Sequence, residues 1–177
     1  MIDYGHGMMT PERIAWVRDL SPFLAVNVQV NAGNYGYNLA TRYENADYLC
    51  LDEIEARLAT QNRDGPIRDS LLDLTMLAPR VVITLGRLGS IGWSREDGEH
   101  ESPALTQTTV DTMGAGDAFF AVSALAAAGG AGIVEMMRLG NAAGAAKSQV
   151  IGHSRAIGRK DIDRVMAARP EYEWHGC

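Results

Sequence analysis

Residues 80–86 read Arg-Val-Val-Ile-Thr-Leu-Gly, a run that after Arg80 is apolar but for Thr84 and is closed by a glycine. A strand with one wet face alternates apolar and polar residues. A strand that does not alternate is covered on both faces, which is the situation inside a parallel sheet. That requirement limits the chain to architectures that lay helices over both sides of a sheet, and the flanking segments agree. "FLAVNVQV" (23–30) and "ADYLCL" (46–51) read as further strands, and "SIGWS" (90–94) as one paired back through a turn after Gly86 and Gly89. Between them lie helical segments. Thr10-Pro11 opens one through about Leu20, with Thr10 as N-cap and Pro11 where a missing N–H costs nothing. A second runs from about Asp52 to Thr60. A third, after "DGP", places Ile67, Leu71, Leu74 and Leu77/Ala78 on one face. Alternating strands and helices predict an α/β layered domain with a largely parallel central sheet flanked by helices.

The second half reads differently. "REDGEHES" (95–102) is expected to be a charged hairpin tip and "ALTQTTV" (104–110) a third strand. Helices are expected at about 117–128, 133–150 and 160–168. The residues of 118–128 are nearly all apolar, so that helix is expected to be buried on most sides.

Composition excludes several classes of function. The 177 residues carry a formal net charge of -6 and no cluster of five Lys/Arg, which argues against nucleic acid. Any polyanionic ligand must be small and held by local backbone geometry. Cys50 and Cys177 form neither a disulfide framework nor a zinc site of recognisable spacing, and Cys50 reads as a buried thiol. The longest apolar stretch, Ala118 to Ala128, is too short to span a bilayer, and "MIDYGHGMM" lacks the regions of a signal peptide. The expectation is a cytoplasmic protein with neither membrane nor nucleic-acid partner, a small-molecule substrate, and room for a homodimer.

Residues 110–122, "VDTMGAGDAFFAV", carry the chemistry. Gly114 and Gly116 permit positive φ and close approach of backbone to a ligand. A helix starting at Asp117 leaves its first N–H groups without intrahelical acceptors and brings a partial positive charge to them. The Gly114-Ala115-Gly116 amides would then form an anion site suited to phosphate. A carboxylate beside it could accept the proton of an attacking hydroxyl. The bland alternative is a turn followed by an acid that favours a helix N-terminus.

The longer pattern Asp111-Thr112-Met113-Gly114-Ala115-Gly116-Asp117-Ala118-Phe119 resembles the "DTxGAGDAF" signature of the ribokinase-like (PfkB) carbohydrate kinases. The resemblance implies that Asp117 is the catalytic base and that Gly114, Ala115 and Gly116 supply the anion hole. "VVITLGRLGSIGW" is similar to the family's strand-turn-strand, which implies that Thr84, Gly86 and Gly89 line the nucleotide, with Asp111 and Thr112 beside it. "LGNAAGAAKSQVIGHSRAI" resembles the helix next to the adenine pocket, with Asn141 near the base. The turn after it, with residues around Asp111, holds a potassium ion in many relatives. "DYGHGMMTPE" resembles a stretch of heptose-phosphate kinases, with His6 read as structural. Taken together, these resemblances imply a ribokinase-like fold, ATP and Mg²⁺ as cofactors with K⁺ a further one, and a sugar or sugar phosphate as acceptor. The alternatives are a kinase of a nucleoside or other small alcohol, and a catalytically silent nucleotide- or sugar-phosphate-binding fragment.

Three departures bear on this. The family's N-x-x-E, whose glutamate organises the magnesium, appears here as Asp52-Glu53-Ile54-Glu55, so Glu55 and Asp52 are the metal candidates. The same residues have the form of a capping box. Asn27 stands where many relatives have Asp. Relatives are also substantially longer, and the N-terminal half that supplies the sugar motif and lid has no counterpart. Residues 1–177 are therefore expected to be the single nucleotide-binding portion of a longer kinase. No H-x-G-H of a nucleotidyltransferase is present.

Overall fold

The computed structural model describes residues 1–105 and 109–168. Its centre is a six-stranded sheet of β1 (Ile2–Asp3), β2 (Ala25–Val28), β3 (Tyr48–Asp52), β4 (Arg80–Thr84), β5 (Ser90–Ser94) and β6 (Gly98–Ser102), in that spatial order. The pairs from β1 to β4 are parallel; β4, β5 and β6 continue as an antiparallel meander. The helices are α1 (Pro11–Leu20), α2 (Glu53–Thr60), α3 (Ile67–Leu74), α4 (Ala115–Ala128), α5 (Ile133–Ser148) and α6 (Arg159–Ala167). Among the described residues no helix is long and apolar enough to cross a membrane.

The two-residue period of a strand sorts the core into two layers. Val26, Val28, Leu49, Leu51, Val81 and Ile83 face one side, where they pack with Ala56 of α2 and Leu71 and Leu74 of α3. Ala25, Tyr48, Cys50 and Val82 face the other, against Phe119 and Phe120 of α4 and Ile133, Met136 and Met137 of α5. Strands added in one direction with crossovers of one hand put their connecting helices on the same face. The opposite face is left for α4 and α5, which arrive only after the meander. The apolar residues Val81, Val82 and Ile83 of β4 are thus covered on both faces, as their composition requires. Burial also pushes the Cys50 thiol up to about 12, so it is an inert core group.

Local chemistry explains the element ends. Thr10 Oγ1 accepts from Arg13 N–H at the start of α1. Asp52 caps α2 in a full capping box: Glu55 N–H donates to Asp52 Oδ1 at 2.7 Å, and Asp52 N–H to Glu55 Oε2 at 2.8 Å. The N-terminal residue of α5 is capped from a distance, because its own N-cap is Gly132. Asp97, in the turn between β5 and β6, accepts from Ile133 N–H at 2.9 Å. Asp97→Ala is expected to lower stability by about 1 kcal/mol, the usual cost of a lost N-cap, as a shifted midpoint in denaturant unfolding.

Three expectations are corrected. The charged stretch is not a hairpin tip alone: Gly98–Ser102 is the edge strand β6, with Gly98 at φ +78° closing the turn. Its charges disguised it, and charge is what an exposed sheet edge carries. Glu99 and Glu101 are both paired with Arg68. The strand expected at 104–110 does not form at Ala104, Leu105, Thr109 or Val110, and residues 106–108 lie outside the described residues. Helix α4 is not buried on most sides. Phe119, Phe120, Ser123 and Ala127 are buried, whereas Leu125 is 75% exposed and Ala121 and Ala128 are exposed. Alanine suits either environment, so a run of alanines records helix formation without recording which side is covered. The short strand β1 had no recognisable signal. It is fixed by Asp3, which is buried and accepts from Tyr43 Oη at 2.6 Å and from Gly5 N–H at 2.9 Å.

Candidate functional site

In a parallel sheet the strand carboxyl ends open onto the loops, and ligands bind in the crevice beyond them. Here those ends deliver Gln29 after β2, Asp52 at the close of β3 and Thr84 at the close of β4. Beyond them lies a cavity of about 550 Å³, lined by residues that include Asp52, Thr84, Gly86, Gly89, Thr112, Ala115, Gly116 and Asn141. The structure therefore brings most of the sequence-predicted residues to one place. Gly114, Asp117, Asp111 and Glu55 lie outside that lining.

The helix behind the glycine loop begins earlier than expected. Gly114, at φ +74°, is the N-cap of α4, so Ala115, Gly116 and Asp117 are its first three residues. One consequence concerns the anion hole. Ala115 N–H donates to Thr112 O at 3.1 Å and closes the loop on itself, leaving Gly116 and Asp117 as the amides at the helix tip without an intrahelical acceptor. Asp117 is half-buried, and its Oδ1 accepts from Gln29 Nε2 at 2.8 Å. Sequence reasoning misses Gln29, because nothing local marks a residue that acts across 88 positions.

Glu55 is buried at 8% exposure. Its carboxylate takes Asp52 N–H and, at 3.3 Å, Val30 N–H. Burial pushes its pKa up to about 7; the nearby charges of Asp52 and Asp117 add to this, and the two amides oppose it. Asn27 donates Nδ2 to Cys50 O at 2.9 Å. A carboxylate could not make that bond, so the amide here joins β2 to β3. Asn141 is buried, and its Nδ2 lies within bonding distance of Ser90 Oγ, Ser102 O and Oγ, and Pro103 O. It ties α5 to the meander at the cavity wall. Gly89, at φ +102°, passes so close to the end of β6 that a Cβ would sit 2.1 Å from Ser102 O. That contact alone demands glycine. His6 is exposed on the N-terminal loop.

Among the described residues no group of three or more His, Cys, Asp or Glu side chains is arranged to hold a metal. A magnesium bound chiefly by phosphates needs only one or two protein carboxylates, often through water. Glu55 and Asp52 meet that requirement, since a carboxylate oxygen that accepts one amide keeps a further lone pair. A potassium ion beside Asp111 does not fit. The carbonyls facing that place, Met113 O and Gly152 O, are filled by Lys147 Nζ at 2.8 and 2.7 Å. A second cation between the same oxygens would be repelled by the ammonium.

Comparison with known proteins gives the family and the fold. The family described as pfkB family carbohydrate kinase matches residues 25–157. The ATP-dependent 6-phosphofructokinase isozyme 2 of Mycobacterium tuberculosis is 35% identical over 103 residues, covering 54% of this chain and 30% of that protein. Among solved structures, phosphofructokinase-2 from Escherichia coli in complex with potassium matches with a TM-score of 0.75 at 23% identity, covering 89% of this chain and 51% of that one. A ribokinase from Thermotoga maritima matches with a TM-score of 0.68 at 20% identity, covering 88% and 53%. These likenesses show the ribokinase-like fold, and the chain spans about half the length of the solved relatives and less of the curated one. With its glycine loop, its helix tip and its family match all falling in one stretch, the chain belongs to the pfkB family of carbohydrate kinases.

Proposed function

We propose that the full-length protein transfers the γ-phosphate of ATP to a hydroxyl of a sugar or sugar phosphate. The observation that carries this reading is Asp117 at the third position of α4, its Oδ1 held by Gln29 Nε2, directly after Ala115 and Gly116, which line a cavity of about 550 Å³. In phosphoryl transfer the protein mostly positions groups and stabilises charge spread over the transferring phosphoryl. The Gly116 and Asp117 amides, aided by the helix dipole, serve that charge. With Oδ1 engaged by Gln29, Asp117 offers Oδ2 to the acceptor hydroxyl and takes its proton. Thr84, Gly86, Gly89 and Thr112 form the wall against which the nucleotide lies, and Asn141 holds that wall together. Glu55 and Asp52 are the residues that would hold Mg²⁺, which when bound neutralises phosphate charge.

Titration of the full-length protein with ATP–Mg²⁺, followed by an ADP-release screen over sugars, sugar phosphates and nucleosides, tests the reading. ATP binding with acceptor-dependent ADP release is expected for a sugar or sugar phosphate. Release with nucleosides alone assigns a different acceptor. Binding without release for any acceptor establishes the silent nucleotide-binding alternative.

A further inference from the structure

Lys147 is unusual among the charged side chains. It lies in the last turn of α5 and is only 7% exposed, at the back of the glycine loop. Burying an ammonium is costly unless its donors are satisfied, and here its acceptors come from two separate segments. Nζ donates to Met113 O at 2.8 Å, in the loop just before the N-cap of α4, and to Gly152 O at 2.7 Å, in the turn after α5. The same two segments are joined on the other side by Asp111. Its Oδ1 accepts from Met113 N–H at 2.9 Å and its Oδ2 from Gly152 N–H at 2.7 Å. Those amides, helped by the charge of Lys147 and His153, hold the Asp111 carboxyl below its usual range. Val110 and Asp111 N–H groups both donate to Ser148 O, which fastens the loop to the end of α5.

The lysine stem also runs directly against the loop. A Cβ added to Gly114 would meet Lys147 Cε at 3.3 Å and Nζ at 3.8 Å. Two carbonyl oxygens with a carboxylate close by make a donor set for a hard cation held by oxygen. An ammonium is a compact point charge with three donors, able to replace such an ion in size and sign.

We propose that Lys147 is a built-in cation that clamps the glycine loop to the turn after α5, so that this protein orders its phosphate loop without a dissociable monovalent ion. It is a positioning residue: it touches the loop, and the loop touches the phosphate. The proposal rests on the kinase reading for the purpose of the loop, but the clamp itself can be tested with no nucleotide present.

The test is amide hydrogen exchange of residues 110–117 in the full-length protein, in potassium chloride and in choline chloride at equal ionic strength. Wild type is expected to show the same loop protection in both salts. Lys147→Ala, which opens the carbonyl pair, is expected to exchange about tenfold faster in choline, the effect of losing charge-assisted bonds that close a local opening. Potassium should slow that variant back towards wild type. Greater protection of the wild-type loop in potassium than in choline would overturn the proposal, and this arm stands even if the variant fails to fold. So would a variant that exchanges like wild type in choline, or one that potassium does not slow. Absence of ATP binding by wild type in either salt would sink the kinase reading and leave the clamp intact.

Discussion

Asp117→Asn in the full-length protein is expected to lower turnover by about 10²–10⁴-fold, the range a positioned general base contributes, with ATP affinity changed by about fivefold at most. The replacement keeps the shape and keeps an oxygen for Gln29 Nε2, so the contact at 2.8 Å survives. What it loses is basicity. It also removes one negative charge from the first turn of α4, a dipole effect of about 0.3–1 kcal/mol that sets the limit on the affinity change. The two readouts separate a base from a structural acid. Single-turnover phosphoryl transfer and ATP titration should therefore diverge in this variant. Turnover close to wild type would remove Asp117 from the chemistry. Equal losses in both readouts would assign it to nucleotide binding instead. Gln29→Ala offers a graded comparison: the base remains but loses the amide that orients it, and turnover should fall less than in Asp117→Asn.

Much of this arrangement is legible in local sequence because its causes are local. The double-covered strand at 80–84, the cap at Thr10 and the capping box at Asp52 and Glu55 each depend on residues within four positions of one another. The glycine loop is legible for the same reason, together with a pattern long enough to be specific. What escapes depends on contacts distant in sequence. Gln29 meets Asp117 across the sheet, Asp97 caps a helix 36 residues away, and Lys147 reaches back 34 residues to Met113. No periodicity encodes these. The edge strand β6 is hidden by its own charges, and the alanines of α4 say nothing about which face is covered. The expected part of Ala115 in an anion site is also altered by position: where the helix begins decides which amides are free, and Thr112 O takes Ala115 N–H.

Glu55 ties the stability of the metal-free protein to pH, with a sign opposite to that of an ordinary ion-paired acid. Its carboxyl sits at about 7 in the folded protein against an ordinary value of 4.5, first because it is buried and then because Asp52 and Asp117 are near. Below about pH 4.5 both folded and unfolded chains hold the proton, and the group is neutral with respect to folding. Between about 4.5 and 7 the unfolded chain releases a proton that the folded chain keeps, so stability falls as pH rises. Above 7 the loss levels off, at about 3 kcal/mol if the whole shift is expressed. Glu55→Gln keeps an oxygen for Asp52 N–H, and with it the capping box, loses the 3.3 Å acceptor of Val30 N–H at every pH, and cannot ionise. In urea unfolding with chelator present, the stability of wild type relative to Glu55→Gln should be greatest near pH 4 and fall progressively to pH 8. Parallel curves across that range would show that Glu55 is not the group responsible. The metal assignment can then be read from the same curves. A buried carboxylate that is destabilising when ionised and alone becomes favourable when a divalent cation is beside it. Magnesium with nucleotide should therefore restore wild type at pH 8 and have a smaller effect on Glu55→Gln.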